Sequence, residues 1–368
     1  MSGTRRFLRS MGRAVVVLFI ASTAFAQAPS STILALAKSD HTLAIVDPAT
    51  FQVLARLPAG PDPHEIIASD DGKLAFISNY GGLDSDLHTI SAVDLIARKA
   101  LPPIDLGGLR SAHGLAFAGG KLYFTAETNK VIGRYDPASQ RVDWILGTGQ
   151  DRTHMILVSS SLDQIVTSNV NSGTISIIEH VSAPPGGFAP PPGGPPAGPP
   201  PQGPSPPPGG SRMTWKVTSI PAGNGVEGFD ITPDGKQVWA ANARDGTVTI
   251  IDVATKKAIQ TFPIPVKGAN RLKFTPDGKR VLISGLGAGP GAGGVSLEVM
   301  DASTRQEVKQ LNLGGGAAGI LIAPDGSRAY VAVSTGDKVA VVDLKTLDVV
   351  GQFSVGKQPD GLAWSVRK

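Results

Sequence analysis

Three histidines pose the chemical question. The sequence holds six in 368 residues, and His64, His113 and His154 each stand immediately before an apolar run of strand character. The same place ahead of four later runs is taken by Glu227, Asn270, Ala318 and Asp360. Three imidazoles with a carboxylate could hold a divalent metal such as catalytic zinc, leaving a coordination position for water. Two plainer readings stand beside that one. The six polar positions, His64, His113, His154, Glu227, Asn270 and Asp360, could bind a small ligand without chemistry. A histidine at a strand entrance could also do no more than hydrogen-bond nearby backbone. Other chemistries lack their residues. Cysteine is absent, which excludes disulfides, thiolate metal sites, covalent haem attachment and a lipid-anchored cysteine. No Gly-x-Ser-x-Gly nucleophile elbow occurs. The glycine run 285–294 lacks the Lys-Ser/Thr and following helix of a phosphate loop. Asp84 and Asp86 alternate in a loop where they could hold Ca²⁺ or remain solvated.

The elements that must position these residues come from a repeat. An apolar β-rich run ending in an acidic residue recurs seven times, the acid falling at Asp47, Asp94, Asp136, Glu179, Asp252, Asp301 and Asp343. A second marker, the tight turn Pro233-Asp234-Gly235-Lys236 and its copies at 71–73, 276–279 and 324–327, keeps the same phase. Proline pre-sets φ in such a turn and glycine accepts φ > 0, so a strand reverses within few residues. In the repeat after residue 215 the spacing predicts four strands, Gly228–Thr232, Gln237–Ala241, Thr247–Asp252 and Ala258–Phe262. Four short strands per repeat and seven repeats specify an all-β, seven-bladed β-propeller. The chain starts at a second strand, Ile33–Lys38, and ends on a lone first strand, Gly361–Val366. Pairing the two completes the last blade and covers both open edges. First strands line a propeller's channel, so the seven aligned positions are expected to ring one mouth, with Glu227 and Asp360 across from the histidines.

The second strand ends in a worn tetrad in Phe76-Ile77-Ser78-Asn79, Val166-Thr167-Ser168-Asn169 and Trp239-Ala240-Ala241-Asn242, and in copies at 281–285 and 329–333 that have lost the Asn. With the Pro-Asp-Gly turns and Val-Asp strands, this resembles the YVTN-type β-propeller repeat proteins over roughly residues 33–366. The resemblance implies a surface or periplasmic binding protein, or a lactonase-like or lyase-like propeller enzyme. It also implies that Pro-His-Gly-like stretches recur before the first strand as a structural habit. Fold alone does not choose among these.

The N-terminus reads as an export signal at 1–26. Arg5, Arg6, Arg9 and Arg13 precede the apolar run 14–20, and Ala24-Phe25-Ala26 forms a small-x-small cleavage site. The apolar run is too short for a membrane span of roughly 20 residues. Thr4–Arg9 also resembles a twin-arginine signal without its usual spacer. The mature chain, 27–368, is then expected to carry no transmembrane segment and to be periplasmic, extracellular or on the cell surface. The whole chain has 34 Lys+Arg against 30 Asp+Glu, and loss of the four signal arginines leaves 30 against 30. A neutral mature protein has no net field to gather phosphate backbones, so nucleic acid is not the expected partner. A small ligand or an envelope protein is, and the chain is expected to be a monomer. Residues 183–210 hold 14 Pro and 8 Gly in 28 positions, a composition that cannot bury a core. They are expected to form an extended loop between third and fourth strands, on the face opposite the histidines.

Overall fold

The computed structural model describes residues 31–82, 84–182, 213–287 and 294–368. The expected signal peptide, 1–26, and the Pro/Gly-rich insertion, 183–210, lie outside the described residues, as does most of the glycine run 285–294. The described chain is almost all strand, with one 3₁₀ turn at Ser334–Gly336. Seven antiparallel sheets form the blades of a seven-bladed β-propeller. Their innermost strands are Pro63–Ala68, Ala112–Ala118, Thr153–Val158, Val226–Ile231, Ala269–Phe274, Ala317–Ile322 and Pro359–Val366, which number blades 1 to 7. Blade 7 closes the ring as expected, with Pro359–Val366 pairing Ser31–Ala37 in a register that sets Ile33 against Trp364. Observed strand ends fall within a residue or two of the sequence expectation: in blade 4 the first strand is Val226–Ile231, starting two residues earlier and ending one sooner, and the fourth is Lys257–Pro263, one longer at each end. Blade 1 departs from the pattern at its outer edge. Its fourth strand is split into Lys99–Ala100 and Ile104–Asp105, because Pro102 and Pro103 between them donate no ladder hydrogen bond.

Turn chemistry follows the residues that announced it. In blade 4, Asp234 Oδ1 accepts from the Thr232 hydroxyl at 2.6 Å and the Lys236 amide at 3.0 Å. Gly235, at φ +74°, turns the chain there. After the third strand, Asp252 Oδ1 accepts from both the amide and the hydroxyl of Thr255 at 2.7 Å.

Hydrophobic cores fill the spaces between neighbouring blades. One joins Ile33, Ala35 and Val46 of blade 7 to Tyr330, Val339 and Phe353 of blade 6. Second strands are buried almost end to end, and Trp239, Phe76 and Phe124 are the bulkiest fully buried side chains. Tetrad asparagines stitch second strands to third. Asn242 Nδ2 donates to Thr247 and Thr249 hydroxyls at 2.9 Å, and Asn79 and Asn169 do the same in their blades.

The hydroxyl one residue earlier links blade to blade. Thr125 Oγ1 accepts from the Gly114 amide at 2.9 Å in its own blade and donates to the His154 carbonyl of the next at 2.6 Å. Ser168 likewise takes the Met155 amide and donates to the Glu227 carbonyl, and Ser284 donates to the Ala318 carbonyl. Each carbonyl served in this way belongs to a residue of the histidine ring.

Candidate functional site

The ring residues are the second residues of the innermost strands, inside the strands rather than just ahead of them. A β-bulge explains the difference. In blade 1 the ladder pairs Pro63 with Asn79 and next Ile66 with Ile77, so His64 and Glu65 together oppose one residue. The same register shift occurs at this point in all seven blades. Bulges of this kind re-aim side chains beside functional sites.

Blade order then brings five of the seven ring residues into one chain of contacts. His64 Nδ1 lies 3.0 Å from Asp360 Oδ2. The His64 and His113 rings have centroids 4.4 Å apart, and the His113 and His154 rings 3.6 Å apart. His154 Nε2 lies 2.7 Å from Glu227 Oε2, off the line of a hydrogen bond. Glu227 and Asp360 therefore flank the histidines, because blades 4 and 7 are the neighbours of blades 3 and 1. The expected placement across the ring is corrected on that ground. Asn270 is half-buried at the same register, its side chain outside these contacts, and Ala318 is buried and apolar.

Six partners at the mouth were not among the expected site residues. Lys38, Tyr80 and Glu127 occupy one equivalent place, the residue directly after the second strand. Each leans on the ring residue of the following blade. Lys38 Nζ donates to His64 Nδ1 at 2.6 Å, Tyr80 packs edge-on against His113 with centroids 4.8 Å apart, and Glu127 Oε1 bonds His154 Nδ1. Aligning the repeats on the residue after the tetrad would have found all three. In blades 3 to 6 that place holds Val170, Ala243, Leu286 and Ser334, so ionisable side chains at it are confined to one arc. Arg152 comes from a third place, two residues before His154, in a left-handed conformation with φ 56°. Its guanidinium reaches Glu127 Oε2 at 3.3 Å and Glu227 Oε1 at 3.4 Å. Deeper in, Arg271 of blade 5 is ion-paired with Glu65 of blade 1 across the channel. No alignment within one repeat announces that pair.

The electrostatics divide the histidines by role. Burial, then the neighbouring His154 and His64 rings, push the His113 pKa well below the ordinary value, so this imidazole is neutral. It is 0% exposed, and neither ring nitrogen has a hydrogen-bond partner. His154 is opposite in kind. Burial opposes its charge, but the Glu227 and Glu127 carboxylates outweigh burial and raise its pKa. Glu227 is held down to about 2: burial works against this, and His154, Arg152 and Arg271 prevail. Burial, reinforced by Glu127, raises the pKa of the Tyr80 phenol, whose OH donates to Glu127 Oε2 at 2.6 Å.

Of the three expected metal ligands, two remain together. His113, His154 and Glu127 each offer a donor atom within 4.8 Å of the others, whereas His64 faces Lys38 and Asp360. Among the described residues no helix is long and apolar enough to cross a membrane.

No protein-family model matches the chain, and no curated protein matches it. Solved structures do resemble it. A protein of unknown function from Desulfotomaculum acetoxidans superposes with TM-score 0.68 at 10% identity, over 92% of this chain and 99% of that one. A "putative 6-phosphogluconolactonase" from Bacteroides uniformis gives 0.67 at 12% identity, over 91% and 99%. Hydrazine synthase from Kuenenia stuttgartiensis gives 0.62 at 18% identity, over 82% and 89%. At such identities the likeness is one of fold, and the fold is the seven-bladed β-propeller.

Proposed function

We propose that the chain is an exported, YVTN-type binding propeller whose working surface is the histidine-bearing mouth of its channel, and that it takes a small solute there. One observation carries the reading: ionisable side chains are gathered and largely buried on a single arc of a ring that does not need them. Blades 5 and 6 have the same fold with Asn270 and Ala318 at the ring and Leu286 and Ser334 beside it. Burying a charge costs several kcal/mol unless it is well paired. Groups of this kind in a concavity mark functional sites more often than structural ones. Burial also selects the size of the ligand. The most open side chains of the histidine–glutamate cluster, Lys38 and Arg152, are 20% exposed, so a flat protein surface does not reach His113 or His154. The earlier alternative of an envelope protein as partner is thereby less favoured at this mouth.

Export is supported by the arginine-led apolar start and Ala24-Phe25-Ala26. Neutral mature charge argues against nucleic acid. A second reading, a metal-dependent lactonase-like or lyase-like enzyme, is favoured by one specific observation, the two unpartnered nitrogens of buried His113.

The test needs no ligand. Residues kept for binding are typically not those best for stability. His113→Leu removes two unsatisfied polar atoms at similar volume, so thermal unfolding of the variant is expected at or above the wild-type midpoint. A loss of more than about 2 kcal/mol would show that His113 belongs to the framework and would sink the reading.

A further inference from the structure

We infer that the mouth holds one divalent first-row transition-metal ion, bound by the imidazoles of His113 and His154 and the carboxylate of Glu127. The inference rests on the mouth being a binding site and names what occupies it. Geometry supplies the first support. The three donor atoms lie within 4.8 Å of one another, and all three residues are buried. Ligands of a common zinc-sized ion sit about 2.0–2.2 Å from it, hence roughly 3–4 Å apart, so small side-chain rotations close the set.

An independent observation points to a ligand. Both His113 ring nitrogens are buried without a hydrogen-bond partner, and His154 Nε2 is likewise unaligned with any acceptor. Buried polar atoms in folded proteins are nearly always satisfied, by protein, water or an ion. With no hydrogen bond at either nitrogen, the His113 ring has a position free to ligate an ion. Glu127 already touches His154 Nδ1, and an ion entering beside them takes oxygen and nitrogen as ligands.

The surroundings suit the task. Tyr80 and Arg152 hold the far oxygen of Glu127 at 2.6 and 3.3 Å, fixing the carboxylate from behind as outer-sphere partners do. His113 and His154 stand on neighbouring inner strands joined through Thr125, so the donors are mounted on rigid elements. A metal ion displaces the His154 proton, and the two carboxylates that held that charge, Glu127 and Glu227, then face one guanidinium, Arg152, and the ion. Two nitrogens and one oxygen, with no thiolate, select zinc or ferrous iron over calcium and magnesium, which prefer all-oxygen shells. Three protein ligands leave room for a solute's oxygen or nitrogen to bind the ion. The side open to it is past Glu227 and Arg152, 17% and 20% exposed.

The untagged full chain, stripped with chelator and dialysed, is titrated with Zn²⁺ by calorimetry and with Fe²⁺ under anaerobic conditions. His113→Leu and Glu127→Gln are run beside it, with thermal unfolding as the check on folding. The expected result is roughly one ion per chain and affinity reduced by about 100-fold or more in both variants. Wild type that binds neither ion, or folded variants that bind as wild type does, overturns the inference. The two readings fail separately: if no metal binds while His113→Leu remains as stable as wild type, the metal falls and the mouth stays a binding site for another solute, whereas a loss of more than about 2 kcal/mol in His113→Leu sinks the mouth reading itself.

Discussion

Replacing Thr125 by valine tests whether the blade-to-blade hydroxyl builds the site. Thr125 is fully buried, and its hydroxyl serves two backbone groups, the Gly114 amide at 2.9 Å and the His154 carbonyl at 2.6 Å. Valine has nearly the same shape, so no cavity opens and the effect isolates the hydroxyl. The two strands cannot relax toward each other to compensate. A Cβ on Gly114 would already stand 2.4 Å from the His154 carbonyl oxygen, so the backbones are as close as glycine permits. At 0% exposure the freed groups do not face bulk water. Each buried backbone group left unpaired costs about 1–3 kcal/mol, which for the two groups gives an expected loss of about 2–6 kcal/mol. Thr125→Ser keeps the hydroxyl and is expected to lose less than about 1.5 kcal/mol, the scale of one buried methyl group. Urea unfolding followed by tryptophan fluorescence reads both variants, since Trp144 and Trp215 lie in blades 2 and 3 on either side of the substituted contact. Freed from its tie, the His154 strand shifts, and Zn²⁺ affinity should fall about tenfold or more while the serine variant retains it. If valine costs no more than serine, the hydroxyl does not hold the mouth and the argument for the tetrad is wrong.

Two further outcomes follow from particular residues. Glu298, buried between blades 4 and 5 with one carboxylate oxygen unpartnered, has its pKa raised to about 7 by burial and then by Glu307. Below the ordinary value of 4.5 the acid is neutral folded or unfolded. As pH climbs from 4.5 to about 7, only the unfolded chain ionises, so stability falls by about 3 kcal/mol and then levels. Glu298→Gln should match wild type at pH 4 and exceed it by up to that amount at pH 8. Equal stability at both pH values would refute the buried-acid account. His64→Ala separates the trio of histidines from the set the structure assembles: because His64 is engaged by Lys38 and Asp360, Zn²⁺ binding should survive the substitution within about tenfold. Complete loss of binding would return His64 to the ligand set.

The fold was legible because every signal for it is local and repeated. Asp234 and its counterparts make their turns with residues two positions away, and Asp252 caps its own Thr255. A seven-fold phase of such signals leaves little freedom in blade number. The candidate site was legible only as far as one register position, the ring from His64 to Asp360. Glu127, Tyr80 and Lys38 were missed because they occupy a second register position that is polar in three blades and mostly apolar in the others. A motif that recurs draws notice; a departure at one place in three repeats does not.

What the amino-acid sequence determined by itself was the strand, the turn and the period, since these arise from neighbours along the chain, and with them the seven-bladed ring and the alignment of three histidines. Tertiary structure decided which groups meet. Ring closure made Asp360 the neighbour of His64. The bulge in each inner strand aimed the ring residues, and hydroxyls such as Thr125 set the spacing of adjacent blades. Arg271 and Glu65 found each other across the channel, 206 residues apart in sequence. The reason is physical: a side chain of a few ångströms interacts with what the curvature of the ring brings within reach, and that curvature belongs to all seven blades together.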